Sequence, residues 1–342
     1  MKKLFILLFS FLTISVYAEA AAEGGEFRPG DMITHHIADD YSWHFADGVV
    51  LHLPVILFDN GQPVVFSSSN FYNENHELVP YKGYVLEHGH IYRATPEGEA
   101  SHDKAGLIDI SITKNVASMF VSVALLFFVF FSIAASYKKN AGKAPRGLQS
   151  FFEPLIVFIR DDIAKANIGP KYERYMPYLL TIFFFIWFNN LLGLMPGGAN
   201  LTGNIAVTLV LAAMTLLITV FSGNKNYWKH IFATPGVPTW LAPIMIPVEL
   251  IGILTKPFSL MVRLFANITA GHIIILSLFS LIFIFQSIAV GPLSVAFATF
   301  MNFLELFVAL LQAYIFTLLS AMYFGGAVEE HHHEEHAHGE AH

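Results

Sequence analysis

The sequence contains no cysteine and has few charged side chains. Without Cys, disulfides, thiolate metal sites and cysteine nucleophiles are excluded. Charged residues make up 13% of the 342 residues, whereas soluble globular proteins carry about 25%. Hydrophobic residues make up 55%. Because so few charges cannot cover a water-facing surface, the composition excludes a soluble enzyme and indicates a membrane protein.

The first 18 residues are typical of an export signal. Lys2 and Lys3 precede an apolar run from Leu4 to Val16, and compact residues follow at the expected cleavage position. The alternative is an uncleaved anchor helix, but the run is short for a bilayer core of about 30 Å. We therefore expect residues 1–18 to be a signal peptide and the next segment to lie outside the cytoplasm.

Residues 19–112 are polar, acidic and interrupted by glycine and proline. Two runs rich in Val, Leu, Ile and Phe, Val49–Phe58 and Val64–Phe71, flank Asp59-Asn60-Gly61, which is a hairpin turn signal. This pattern predicts a small β-rich extracytoplasmic module, which we call the outer module. Its histidines fit no standard ligand spacing, so we predict no metal site.

The remainder, residues 113–326, predicts an all-α polytopic membrane domain. A cluster of Lys and Arg after the first apolar segment places that end in the cytoplasm. The mixed apolar and charged segment 147–175 predicts an interfacial amphipathic helix. The His- and Glu-rich residues 327–342 predict a disordered cytoplasmic tail. The five predicted spans are residues 116–135, 178–195, about 203–221, about 242–285 and about 293–324.

The last two predicted spans are too long to cross a bilayer upright. At 1.5 Å per residue, the second of them is about 48 Å long, compared with a hydrocarbon core of about 30 Å. The first is longer still, even with a bend at Pro257. We therefore expect both helices to be strongly tilted.

Four charged side chains interrupt these two long segments: Glu249, Lys256, Arg263 and Glu305. An arginine at a helix centre costs about 2.5–3.5 kcal/mol on insertion scales, so Arg263 is a functional hypothesis by default. The alternative, a long side chain reaching the interface, suits Lys256 and Glu249 but not Arg263, which has apolar sequence on both sides.

The spacing of the polar residues predicts which of them share a face of a helix. Arg263 follows Lys256 by seven residues, and Asn267 extends the same face by one turn. His272 lies about 180° around the helix from Arg263. Glu305 and Gln312 are also seven apart and share a face of the last helix.

This set of residues is suited to proton transfer. Arginine stays charged and cannot relay a proton, whereas His and Glu exchange protons with water. If the two long helices pack antiparallel, His272 can approach Glu305. The residues provide no nucleophile–base pair, phosphate loop or metal-protease motif. We therefore predict no catalytic residue, no metal site and no cofactor.

The stretch KPFSLMVRLFAN from Lys256 to Asn267, continued to His272, closely resembles the signature of subunit a of rotary F-type ATP synthases. The last helix, from Glu305 through Gln312 to Tyr323, resembles the C-terminal helix of that family. The likeness covers roughly residues 111–326. It implies a stationary subunit that does not catalyse by itself. Such a subunit carries protons through two half-channels to and from the carboxylates of a rotating c-subunit ring.

The resemblance also implies roles for individual residues. Arg263 resembles the essential stator arginine that separates the half-channels, and His272 and Glu305 match the His/Glu pair. Asn267, Gln312 and Glu249 match channel-lining or interface positions, whereas Lys256 matches a mainly structural lysine. The implied partners are the c-subunit ring, the b subunits of the peripheral stalk, the remainder of the synthase, protons and the lipid bilayer, with no nucleic acid.

The implied location is a bacterial inner membrane, with the outer module periplasmic and the C-terminus cytoplasmic. Three other readings stay open: an autonomous cation transporter or channel, an intramembrane enzyme and an anchor for the outer module. Internal repeats would favour the transporter, and the sequence shows none. The residues leave the choice between proton and sodium open, as well as the size of the c-ring.

Overall fold

A computed structural model describes residues 30–329, except for 31–32, 35–36, 47–48, 74–76, 104, 141, 196, 233–238 and 286–289. The predicted signal peptide and nearly all of the predicted tail lie outside the described residues. The chain forms two compact units. The first contains the described parts of Met1–Phe130, Phe185–Ile205 and Leu264–Leu311, and the second those of Phe131–Phe184, Ala206–Arg263 and Gln312–His342.

The outer module is β-rich, as the sequence predicted. Its described residues form the strands β1 Ser42–Ala46, β2 Val49–His52, β3 Pro54–Asp59, β4 Gln62–Ser67, β5 Tyr84–Glu87, β6 His90–Ala94, β7 Ala100–Ser101 and β8 Leu107–Asp109. These strands make three small antiparallel sheets with the strand orders β1-β2, β4-β3-β8 and β5-β6-β7. The predicted hairpin joins β3 to β4 through Asn60 and Gly61, both with positive φ, as such turns require.

Alternation along β3 explains the core of the outer module. Val55 and Leu57 point to one face and are fully buried, and they pack with Phe66, Phe71 and Ile91. At the end of β3, Asp59 accepts hydrogen bonds from Arg93 and Tyr84, which tie this strand to the neighbouring sheet. The Arg93 guanidinium, followed by the Tyr84 hydroxyl, holds the pKa of Asp59 below its usual range.

The membrane domain is helical throughout its longer segments. Five segments of the described chain are long and apolar enough to span a membrane, in agreement with the predicted number. In the described residues, the α-helices longer than three residues are α1 Lys114–Lys139, α2 Leu148–Phe158, α3 Tyr172–Gly193, α4 Ile205–Ser222, α5 Lys225–Phe232, α6 Ala242–Phe285 and α7 Val290–Val328.

The segment predicted to be one interfacial helix is more complex than expected. After α2 the chain continues as a π-helical stretch, Ile159–Lys165, and a short helical turn before Gly169. Gly169 has a φ of 73°, so the helical path breaks there before α3 begins. The charged side chains Arg160, Asp161 and Lys165 form ion pairs in this stretch.

Helix α6 has the predicted bounds, whereas α7 begins three residues earlier and ends four residues later than the predicted span of about 293–324. They contain 44 and 39 residues, so α6 alone is about 66 Å long at 1.5 Å per residue. Helix α6 continues through Pro247 and Pro257 without ending. These two helices carry every intramembrane charge singled out in the sequence.

Candidate functional site

His272 on α6 and Glu305 on α7 lie side by side in the first unit. The His272 Nε2 atom is 3.8 Å from Glu305 Oε1. The side chain of Glu305 is 4% exposed and that of His272 is 15% exposed. The approach of these two residues, which the sequence predicted for antiparallel helices, is therefore present in the structure.

The Glu305 carboxyl group is buried without a full set of partners. Neither of its oxygens accepts a hydrogen bond from the described residues, and His272 lies beyond the usual hydrogen-bond distance of about 3 Å. A buried polar group without a partner is costly and is commonly satisfied by water. A carboxyl group in this state can exchange a proton with His272 or with water.

Gly271 makes this packing possible. A Cβ atom at Gly271 would be 2.7 Å from Glu305 Oε1 and 2.9 Å from its Cδ. Real Cβ atoms do not come so close. The Glu305 carboxyl group therefore occupies space that the side chain of any residue other than glycine at position 271 would fill. Sequence reasoning missed this role, although the glycine directly precedes His272.

Arg263 belongs to the second unit and is half-buried on α6. Within the described part of the chain, no carboxylate lies within ion-pair distance of its guanidinium. An arginine with no internal counter-charge can attract a carboxylate on another molecule. Asn267, one turn further along α6, is exposed.

Three further residues singled out in the sequence, Lys256, Glu249 and Gln312, belong to the second unit. Lys256 is exposed, and its Nζ lies 5.6 Å from the centre of the Tyr323 ring, which is within cation–π distance. Glu249 is half-buried, and its charge adds to burial in raising the pKa of Tyr227 on α5. Gln312 is 2% exposed on α7.

The structure adds a buried polar network that sequence reasoning missed. Asn190 on α3 donates a hydrogen bond to the carbonyl of Ala309 on α7, at 3.2 Å, and accepts one from Thr202, at 2.7 Å. Asn190 and Thr202 are 2% and 1% exposed. The signal that could have revealed them is the pair Asn189-Asn190 inside an apolar span.

The described residues offer little for a metal ion. Among the described residues, no three His, Asp or Glu side chains come close enough to hold one.

Comparison with known proteins identifies the family of this chain. The family model described as "ATP synthase A chain" matches residues 116–325, and a "Domain of unknown function (DUF8433)" matches residues 32–115. ATP synthase subunit a of Chloroherpeton thalassium is 48% identical over 74% of this chain and 78% of the relative.

Two relatives align over more of the chain. ATP synthase subunit a 2 of Chlorobaculum tepidum is 42% identical over 91% of this chain and 78% of the relative. ATP synthase subunit a of Pelodictyon phaeoclathratiforme is 42% identical over 95% and 84%. With five long apolar helical segments in its described residues and bacterial relatives, the protein is a multi-pass bacterial membrane protein. The chain belongs to the family of ATP synthase subunit a, the proton-translocating membrane subunit of that complex.

Proposed function

We propose that this chain is the stator subunit of the proton channel of an F-type ATP synthase. It carries protons through two half-channels to and from carboxylates of a c-subunit ring, and so couples proton flow to rotation and ATP synthesis. The observation that carries this proposal is the buried Glu305 carboxyl group, which faces His272 but accepts no hydrogen bond from the described residues.

Glu305 and His272 act in this proposal as the proton-exchanging pair. A proton that reaches them through water passes on to a carboxylate of the ring. Both side chains can gain and lose a proton, whereas apolar side chains cannot. Gly271 leaves the space in which the Glu305 carboxyl group stands.

Arg263 acts as the fixed charge of the stator. It stays protonated at all relevant pH values, so it cannot relay a proton. It attracts each arriving ring carboxylate and favours its ionised form, which blocks direct passage between the half-channels. The absence of a carboxylate near Arg263 among the described residues supports a partner on another chain.

The remaining residues have supporting roles in the proposal. Asn267, Gln312 and Glu249 line the proton path or the ring interface, and Lys256 is structural through its contact with Tyr323. The chain does not catalyse by itself, and its partners are the c-ring, the b subunits and the rest of the synthase. The outer module faces the periplasm, and the C-terminus faces the cytoplasm.

ATP-driven acidification of inverted membrane vesicles tests the proposal. Arg263→Ala should abolish acidification while the complex remains assembled, and vesicles stripped of the ATPase head should leak protons passively. Arg263→Lys should also fail, because an ammonium group is more strongly hydrated and can lose its proton.

Arg146→Ala is the matched control, since Arg146 is exposed in the loop before α2. It should pump like the wild type. Normal acidification by Arg263→Ala would contradict the proposal and bring forward an autonomous transporter.

A further inference from the structure

The outer module is attached to the membrane helices at two places within the first unit. The backbone N–H of Lys114 donates to the Asp40 carbonyl at 2.8 Å, and that of Asn115 donates to Asp39 Oδ1 at 3.0 Å. Both groups belong to the first turn of α1, where helical N–H groups have no partner inside the helix. The outer module therefore caps the first membrane helix.

The second attachment is to the loop between α3 and α4. The Trp43 Nε1–H group on β1 donates to the Gly197 carbonyl at 2.6 Å, and Trp43 is only 9% exposed. Gly197 has a φ of 69°, and a Cβ atom there would be 2.7 Å from the carbonyl oxygen of His44. Strand β1 thus packs directly onto the backbone of this loop.

The loop between α3 and α4 also contains Thr202, which belongs to the buried hydrogen-bond network that reaches α7. Within this loop, the Asn200 side chain accepts a hydrogen bond from the Gly203 backbone at 2.9 Å, which fixes the turn that carries Thr202. Thr202 donates to Asn190, and Asn190 donates to the Ala309 carbonyl. Ala309 is four residues after Glu305, one turn further along the helix.

We propose that the outer module is a brace for proton transfer: through Trp43, Thr202 and Asn190 it sets the position of the α7 turn that bears Glu305. This inference rests on the proposed function and assigns a role to the segment that matches a domain of unknown function. Trp43, Thr202 and Asn190 are positioning residues, since each acts through its hydrogen bond to a neighbouring group and does not itself exchange the proton.

Buried hydrogen bonds give this brace its stiffness. In a medium of low dielectric constant a hydrogen bond is stronger than in water, and an unpaired partner is costly. Loss of the Thr202 hydroxyl leaves the Asn190 Oδ1 atom without its donor, so the side chain that holds Ala309 can turn. Glu305 then shifts relative to His272, the titratable group that the described structure brings within ion-pair distance of it.

Passive proton conduction in inverted vesicles, stripped of the ATPase head, provides the test. The outer module faces the lumen in such vesicles, so luminal pH controls proton uptake from its side and bath pH controls the other side. Thr202→Val keeps the shape of the side chain and removes its hydroxyl donor, and Trp43→Phe keeps an aromatic ring but removes the indole N–H donor. Both variants should shift the luminal pH midpoint of conduction and lower the conduction rate about two- to tenfold. The loss of one net hydrogen bond changes the ratio of two conformations by about this factor.

Three controls accompany these variants. Thr219→Val removes a buried hydroxyl of the second unit that donates to the Thr215 carbonyl, and Trp240→Phe changes an indole that is 75% exposed. Both should keep the wild-type midpoint. Thr202→Ser retains the donor and should also behave as the wild type, which separates loss of the hydrogen bond from poor assembly.

The result that overturns the brace is an unchanged luminal midpoint in both Thr202→Val and Trp43→Phe, with rates that only follow the amount of assembled complex. Equal shifts of the luminal and bath midpoints would also overturn it. Failure of the proposed function is a separate result: proton conduction by the stripped wild-type vesicles would then not depend on Arg263.

Discussion

Replacement of Gly271 by alanine is the sharpest test of the packing at Glu305. The new methyl group would lie 2.7 Å from Glu305 Oε1 and 2.9 Å from its Cδ. Comfortable contacts between heavy atoms are about 3.5–4.0 Å, so the carboxyl group must move by roughly 0.8 Å. The atoms that must move are at the end of a flexible side chain, so the helices can stay in place.

The expected effect is therefore on function more than on assembly. A displacement of about 1 Å in a reacting group can cost about a hundredfold in rate, so ATP-driven acidification should fall between about tenfold and a hundredfold. The amount of assembled complex, measured by blotting of purified membranes, should stay close to that of the wild type.

Gly252→Ala is the matched control on the same helix. A Cβ atom at Gly252 meets nothing within 4 Å, so this variant should pump normally. Glu305→Asp provides a second check, because the aspartate side chain is one methylene shorter than that of glutamate. The double variant Gly271→Ala/Glu305→Asp should pump better than independent effects of the two changes allow, as expected for residues in contact.

Normal pumping by Gly271→Ala would refute this reasoning. It would mean either that Glu305 does not stand against α6 at Gly271, or that its exact position is unimportant for proton transfer. Accumulation data distinguish these cases from a failure to fold, since a misfolded variant would lower the amount of complex in parallel with the rate.

Two further predictions concern other parts of the chain. Protease resistance of the outer module should be complete above the usual carboxyl pKa of about 4 and fall as pH drops through the lowered pKa of Asp59, because Arg93 stabilises only the ionised form. Asp59→Asn should remove that acid dependence, and Glu97→Gln should retain it. Gly325→Ala should prevent accumulation of the complex, because its Cβ would overlap the backbone carbonyl of Asn167. Gly326→Ala enters open space and should accumulate normally, as a blot of the membranes would show.

The sequence predicted the features that depend on residues close together in the chain. Apolar segment lengths indicated five spans and two unusually long helices, because a bilayer imposes a minimum hydrophobic length on each span. The turn at Asn60-Gly61 and the isolated charge of Arg263 were visible for the same reason: a turn or an intramembrane charge needs no distant partner to be recognised.

The tertiary structure decided which distant residues meet. Hydropathy treats Asn190 as a mildly unfavourable residue in α3, yet its contact with the Ala309 carbonyl spans 119 positions of sequence. Gly271 carries no side chain, so only the neighbour that fills its space reveals its role. Likewise, composition showed that the outer module exists, but only the fold shows Trp43 against Gly197.

The approach of His272 to Glu305 lies between these two cases. Spacing along the sequence put each residue on a defined face of its helix, and antiparallel packing was enough to predict their meeting. The 3.8 Å separation depends on helix rotation and on Gly271, and so does the lack of a hydrogen-bond donor to Glu305 among the described residues. The sequence determined where the polar groups lie along each helix because hydrophobicity and helical period are local. The structure alone decided their partners, because a small rotation of a packed helix changes every contact that it makes.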